Sequence, residues 1–250
     1  MAKIVAITGA TGGLGMAMTT QFIAQGDYVY LLDLSQEAID EAVKKLGDRA
    51  AGLVVDVTNE ESVEQAITHI VNTHGKLDVL VNNAGLQHRA KIEDFPVEKW
   101  RQLIDVMLTG TFLTTKYALP HMKEARGGRI INISSIHGMM ATPEKAAYVA
   151  AKHGVLGLTD VTGIEAAPYG ITVNAVCPGP VKTPLLVKQL DDLERTEGLG
   201  EDEALKRIIY PKQAMERFIE PEEVASTVIY LASDAASGIT MEHIKVAGGM

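Results

Sequence analysis

The chain has 250 residues, enough for one α/β domain with a sizeable core or for two small ones. With 23 basic against 32 acidic side chains the net charge is −9, and no basic block stands out, which argues against a nucleic-acid partner. The single cysteine, Cys177, excludes an intramolecular disulfide framework, and no apolar run reaches the roughly 18 residues of a membrane span.

The N-terminus runs straight into a strand pattern without a signal-peptide apolar region, so a soluble cytoplasmic protein is expected. Ile4-Val5-Ala6-Ile7 reads as a strand ending in Thr8-Gly9. A helix from about Gly13 to Ala24 follows, closed by Gly26. Tyr28 to Leu32 is a second strand ending at Asp33. Ser35 then caps a helix whose apolar face holds Ala38, Ile39, Ala42, Val43 and Leu46. Leu53-Val54-Val55 is a third strand ending at Asp56. Thr58 or Asn59 caps the next helix. Asp78 to Val81 is a fourth strand, followed by Asn82-Asn83-Ala84-Gly85.

The second half repeats this alternation. One long helix is expected from about Val97 to Met122. Arg129 to Ile133 is a strand ending at Ser134-Ser135, and a helix carrying Tyr148 and Lys152 follows, ending near Pro168-Tyr169-Gly170. Ile171 to Val176 is a strand that Cys177-Pro178-Gly179-Pro180 breaks into a rigid turn. Residues 185–216 read as helical and strongly charged. Pro221 opens a final helix through Leu231, and His243 to Val246 is the last strand. Apolar strands alternating with helices imply a single α/β domain over 1–250, a doubly wound parallel sheet with helices on both faces. Ligands of such sheets bind outside the carboxyl ends of the strands, where Gly9, Asp33, Asp56, Asn83, Ser135 and Pro178 fall.

Three features carry chemistry. Thr8-Gly9-Ala10-Thr11-Gly12-Gly13-Leu14-Gly15 joins a strand to a helix, where glycines let backbone approach a pyrophosphate and the helix N-terminus offers free N–H groups. Asp33 ends the second strand, where a carboxylate suits a ribose hydroxyl pair and repels a 2′-phosphate; NAD is therefore expected over NADP. Tyr148 and Lys152 lie four apart on one helix face. An ammonium near a phenol lowers its pKa from about 10, which suits a general acid/base, although such a pair also fits an ordinary solvated face. The histidines show no metal-ligand spacing, so no metal is expected.

Taken together, these residues resemble the short-chain dehydrogenases/reductases over essentially the whole chain. The matching segments are Thr8-Gly-x-x-x-Gly-x-Gly15, Asp33, Asp56-Val57, Asn82-Asn83-Ala84-Gly85, Ser135, Tyr148-x-x-x-Lys152, Asn174, and Pro178-Gly179 through Thr183. The resemblance implies a Rossmann-type sheet of about seven strands and hydride exchange between NAD and an alcohol/carbonyl pair. It makes Tyr148 the acid/base, Ser135 the donor to the substrate oxygen, and Lys152 the holder of the nicotinamide ribose. Gly9, Thr11, Gly13, Leu14, Gly15, Asp33, Asp56, Val57, Asn83, Pro178, Gly179, Val181 and Thr183 would join Tyr148 and Lys152 in holding the cofactor.

Within that family, Asn83 to His88, Ile92 to Pro96, Ser134 to Gly138, Lys145, Ala151 to Val155, and Thr183-Pro184-Leu185 with Gln189 are similar to bacterial D-3-hydroxybutyrate dehydrogenases. That likeness implies that Gln87, His137, Lys145 and Gln189 hold a substrate carboxylate, that 185–216 is a helical lid, and that the protein is a homotetramer. The leading expectation is interconversion of (R)-3-hydroxybutyrate and acetoacetate. The alternatives are another small hydroxy acid, a diol or a sugar alcohol, or an NAD-binding regulator with little turnover. Three positions depart from the pattern. Met107 stands where many family members have an asparagine that supports a proton-relay water, Pro180 follows Pro-Gly where a tryptophan is common, and Ala247 replaces an aspartate.

Overall fold

The computed structural model describes residues 2–183 and 212–250. Gln189 and most of the expected lid over 185–216 lie outside the described residues. Strands β1 (Ile4–Thr8), β2 (Tyr28–Asp33), β3 (Ala50–Val54), β4 (Val79–Asn82), β5 (Gly128–Ile133), β6 (Ile171–Pro178) and β7 (His243–Val246) form one sheet. Its order is β3-β2-β1-β4-β5-β6-β7, and every pairing is parallel. The strands are apolar almost throughout because helices cover both faces. In β1, Val5 and Ile7 enter one core while Ile4 and Ala6 enter the other.

Helices α1 (Gly13–Ala24), α2 (Gln36–Leu46) and α7 (Pro221–Leu231) cover the first face. Helices α3 (Glu60–His74) and α5 (Gly110–Ala125), with the end of α6 (Ala146–Ala166), cover the second. Ser35 caps α2 by accepting from the Ala38 N–H at 3.2 Å, and Asn59, rather than Thr58, caps α3 by accepting from Ser62 at 2.9 Å. Strand order reverses at β1, whose neighbours are β2 and β4, so a crevice opens at their carboxyl ends.

Three expected elements differ. β6 continues through Cys177 to Pro178, both paired with β7, so the turn begins only at Gly179. β3 begins at Ala50 rather than Leu53. Ala-Ala-Gly has little intrinsic strand preference, but the α2 residue Ile39 packs directly over Gly52 and leaves no room for a side chain there. The helix expected as one piece from Val97 to Met122 is α4 (Val97–Ile104), a π-helical turn (Asp105–Thr109) and α5. Leu103 and Met107 turn toward α6, where they pack with Ala147 and Ala151. Leu113, Ala118 and Met122 instead turn toward the sheet.

Candidate active site

The crevice is a cleft of about 730 Å³ running from the β1–α1 loop to the start of α6. At one end Gly9, Thr11, Gly13, Leu14 and Gly15 form its wall. Gly9 turns the chain with φ +62°. A Cβ on Gly15 would lie 2.4 Å from the Gly9 carbonyl oxygen, so the helix can close onto the turn only with glycine there. Gly12 caps α1 without a side chain, which leaves the first N–H groups of the helix open to an anion. The Asn83 side-chain amide donates to the carbonyls of Thr8 and Gly9, both at 3.0 Å, and fixes the loop from the β4 side. The Asp33 carboxylate lines the same end and accepts from the Thr11 N–H at 3.0 Å and hydroxyl at 2.6 Å. This backbone cradle with an acid at the second strand fits a dinucleotide.

At the centre, Ser135 lies just past the end of β5, in the cleft with Tyr148 and Lys152 of α6. The Ser134 hydroxyl donates to the Lys152 carbonyl at 2.9 Å, binding the strand end to the helix. Lys152 is 4% exposed, and its ammonium donates to the Ile133 carbonyl at 2.7 Å. Burial pulls its pKa down to about 8, so it still carries its charge at neutral pH. Burial pushes the Tyr148 phenol up, and a hydrogen bond with Ser135 pulls it back. The expected lowering by Lys152 is not the operating effect here. Its ammonium sits 5.7 Å from the centre of the phenol ring and spends a proton on the strand carbonyl. Behind them, burial raises the Cys177 thiol to about 11, so it stays protonated and unreactive.

At the far end Gln87, His137 and Lys145 line the cleft. Burial, with Arg89 and Lys212 nearby, pulls Lys145 down to about 8. Among the described residues no carboxylate pairs with it. Burial first, then Lys145 and Lys212, lowers His137 to about 4, so the imidazole is neutral at pH 7. Its Nε2 lies 2.7 Å from the Thr142 hydroxyl and its Nδ1 3.5 Å from the Ser135 hydroxyl. The imidazole would grip a substrate carboxylate only by giving up one of those contacts. The Gln87 Oε1 is buried and has no hydrogen-bond partner among the described residues.

Pro178, Gly179, Val181 and Thr183 complete the wall beside Lys152, and Asn83 lines it too. Two expected cofactor residues do not line this cleft. Asp56 lines a separate shallow depression near Leu34 and accepts from the Thr58 N–H and hydroxyl at 2.9 and 2.7 Å. Val57 is buried, packed where α5 begins at Gly110. Sequence reasoning missed Arg89, Thr142 and Lys212, which also line the cleft. Arg89 arrives because Ala90 donates to the Glu144 carbonyl at 3.0 Å while its own guanidinium pairs with Glu144 at 2.6 Å. The signal available was charge: both basic residues lie in segments bordering the expected site. At the departure sites, Ala247 is buried, and its carbonyl accepts from the Gln213 amide at 3.2 Å, which anchors the C-terminal segment without an aspartate.

A nucleotide cradle opening onto a serine, a tyrosine and a lysine defines a nicotinamide-dependent oxidoreductase acting on CH–OH groups. The short chain dehydrogenase family model matches residues 3–194, and the chain belongs to that family. It is 42% identical over 257 residues to a protein of Rhizobium meliloti named D-beta-hydroxybutyrate dehydrogenase, covering 100% of this chain and 98% of the relative. A Cupriavidus necator protein of the same name is 39% identical, with 99% of this chain and 97% of the relative covered. Among solved structures, an NAD+-bound xylitol dehydrogenase superposes with a TM-score of 0.92 at 29% identity, covering 99% of this chain and 98% of its own. No described helix is long and apolar enough to cross a membrane.

Proposed function

We propose that the protein interconverts (R)-3-hydroxybutyrate and acetoacetate with NAD. The observation that carries this reading is Lys145: a largely buried ammonium in the reaction cleft, without a carboxylate partner among the described residues. A buried cation left unpaired is costly, and an incoming carboxylate relieves that cost. The two relatives named D-beta-hydroxybutyrate dehydrogenase support the same substrate. Gln87 lines the same cleft and offers an amide to the same carboxylate, and Gln189 is expected to join them. Ser135 and Tyr148 then meet the substrate oxygen.

A nicotinamide cofactor held in the cleft would supply the hydride chemistry. The β1–α1 loop, the open end of α1 and Asp33 would hold the dinucleotide, with Lys152 and Thr183 nearer the reacting end. Tyr148 takes the hydroxyl proton in oxidation and returns it in reduction, while Ser135 orients the oxygen and Lys152 keeps positive charge beside the ring. The Asp33 carboxylate supports NAD, because a 2′-phosphate there would meet like charge. Exposed Phe112 on α5 and Val161 and Ile164 on α6 support association of copies, and we take the assembly to be a cytoplasmic homotetramer.

The test is NADH absorbance across a panel of hydroxy acids, diols and sugar alcohols. The 3-hydroxy acids should show the highest kcat/KM. Equal rates on neutral polyols would overturn the substrate, and turnover of none would favour a regulator. Light scattering in solution tests the tetramer, and a NADP-preferring rate would reverse the cofactor.

A further inference from the structure

The proton that reaches Tyr148 must leave before the next turnover, and the two sides of the phenol offer unequal exits. On the α4–α5 side the ring packs in an apolar cluster of Leu103, Met107, Ala147 and Ala151, with Leu86, Phe95, Ile104, Val106 and Leu108 around it. Met107 is 1% exposed and brings no donor or acceptor suited to passing a proton. On the other side polar groups follow one another. The phenol shares a hydrogen bond with Ser135. The Ser135 Oγ lies 3.5 Å from the His137 Nδ1, and the His137 Nε2 lies 2.7 Å from the Thr142 Oγ1. Thr142 lines the cleft and is partly exposed to water.

We infer that Ser135, His137 and Thr142 form the proton conduit between Tyr148 and solvent, in place of a path past α5. The inference rests on Tyr148 as the acid/base. In the oxidation direction Tyr148 gives its proton to the Ser135 Oγ as the Ser135 proton passes to the His137 Nδ1. The Nε2 proton passes to the Thr142 Oγ1, and the Thr142 proton goes to water. Each hop breaks one bond to hydrogen and makes another, so the net change is a phenolate plus one proton released. A tautomer exchange resets the imidazole, and reduction runs the chain backwards. His137 conducts rather than stores the proton, because Lys145 and Lys212 stand beside it and disfavour a second positive charge. The 3.5 Å link is long, as catalytic contacts often are before substrate binds.

Thr142→Val keeps the shape and removes the outermost link. Its kcat with NAD and (R)-3-hydroxybutyrate, or the best substrate of the panel, should fall about tenfold with KM little changed, part of the 10²–10⁴ that positioned proton transfer supplies. Imidazole buffer should restore the rate in a concentration-dependent way, and the solvent deuterium isotope effect on kcat should rise. In the cofactor-free protein, ¹⁵N NMR should show the His137 N–H exchanging with water more slowly in the variant. A variant with wild-type kcat, isotope effect and exchange overturns the conduit, as does a slowed variant that buffer cannot rescue. Tyr148→Phe separates the two layers. Retained turnover there would overturn the reading of Tyr148 itself, whereas lost turnover beside an unaffected Thr142→Val would overturn the conduit alone.

Discussion

Between Gly9 and Gly15 the cleft wall is main chain from one continuous stretch, held by the amide of Asn83. At the opposite end the wall is side chains brought together from separate loops, as when Arg89 meets Glu144 across 55 residues. The first end recognises what every dinucleotide shares, a phosphate bridge and a ribose. On the proposed reading the second end would recognise what distinguishes one substrate from another, through a buried lysine and an amide. The contrast separates tolerance: backbone cradles fail when a side chain intrudes, whereas side-chain pockets fail when one charge is lost.

Substitutions can break this division or sharpen it, and the largest effect belongs to neither end. Tyr148→Phe should lower kcat by about 10²–10⁴-fold while NAD binding, followed by calorimetry, stays near wild type. Next, Lys145→Met should raise KM for a hydroxy acid roughly 10–150-fold, the equivalent of a charge-assisted hydrogen bond of about 1.5–3 kcal/mol, and hardly alter KM for a neutral alcohol. An equal change for both would erase the distinction between the ends. Gly15→Ala drives a methyl into the Gly9 carbonyl and should destabilise the fold by about 1–3 kcal/mol. It should also weaken NAD binding without changing the preference among substrates, read by thermal melting and the substrate panel. Asp33→Asn removes the like charge facing a 2′-phosphate and should raise the NADP-to-NAD ratio of kcat/KM about tenfold, or roughly 1.4 kcal/mol.

The smallest effect is one of pH. Lys145 has a folded pKa of about 8, below its ordinary 10.5. Its burial therefore costs stability that is fully present below pH 8 and fades as pH rises from about 8 toward 10.5. Lys145→Met should accordingly be about 1–2 kcal/mol more stable than wild type at pH 7, a figure reduced for its partial exposure. The gap in Tm should narrow over that window. For a hydroxy acid, KM in the wild type should climb as pH passes about 8, and that limb should vanish in Lys145→Met.

The same contrast decides what the sequence made legible. Continuous signals translated well. Pro221–Leu231 and His243–Val246 stand where pattern placed them, and the loop from Gly9 to Gly15 forms the wall its spacing implied. Signals that depend on contact did not. Arg89 enters the cleft through a pairing with Glu144, 55 residues away, and Thr142 through a side-chain contact with His137, neither of which local periodicity encodes. β3 follows from the packing of Ile39 rather than from strand preference. The direction of the Lys152 ammonium depends on a carbonyl at the end of another strand.

The wide turn at Asp105–Thr109 has a further consequence for insertions and deletions. Each residue of a regular helix advances the side chains by about 100°. One extra residue in that turn re-aims α4 toward α6 while α5 keeps its own stripe against the sheet. Removing a single residue there would straighten the rod and swing Leu103 and its neighbours roughly a quarter-turn away from their seats. A deletion that looks trivial in length would thus misalign the platform beneath the Tyr148 ring.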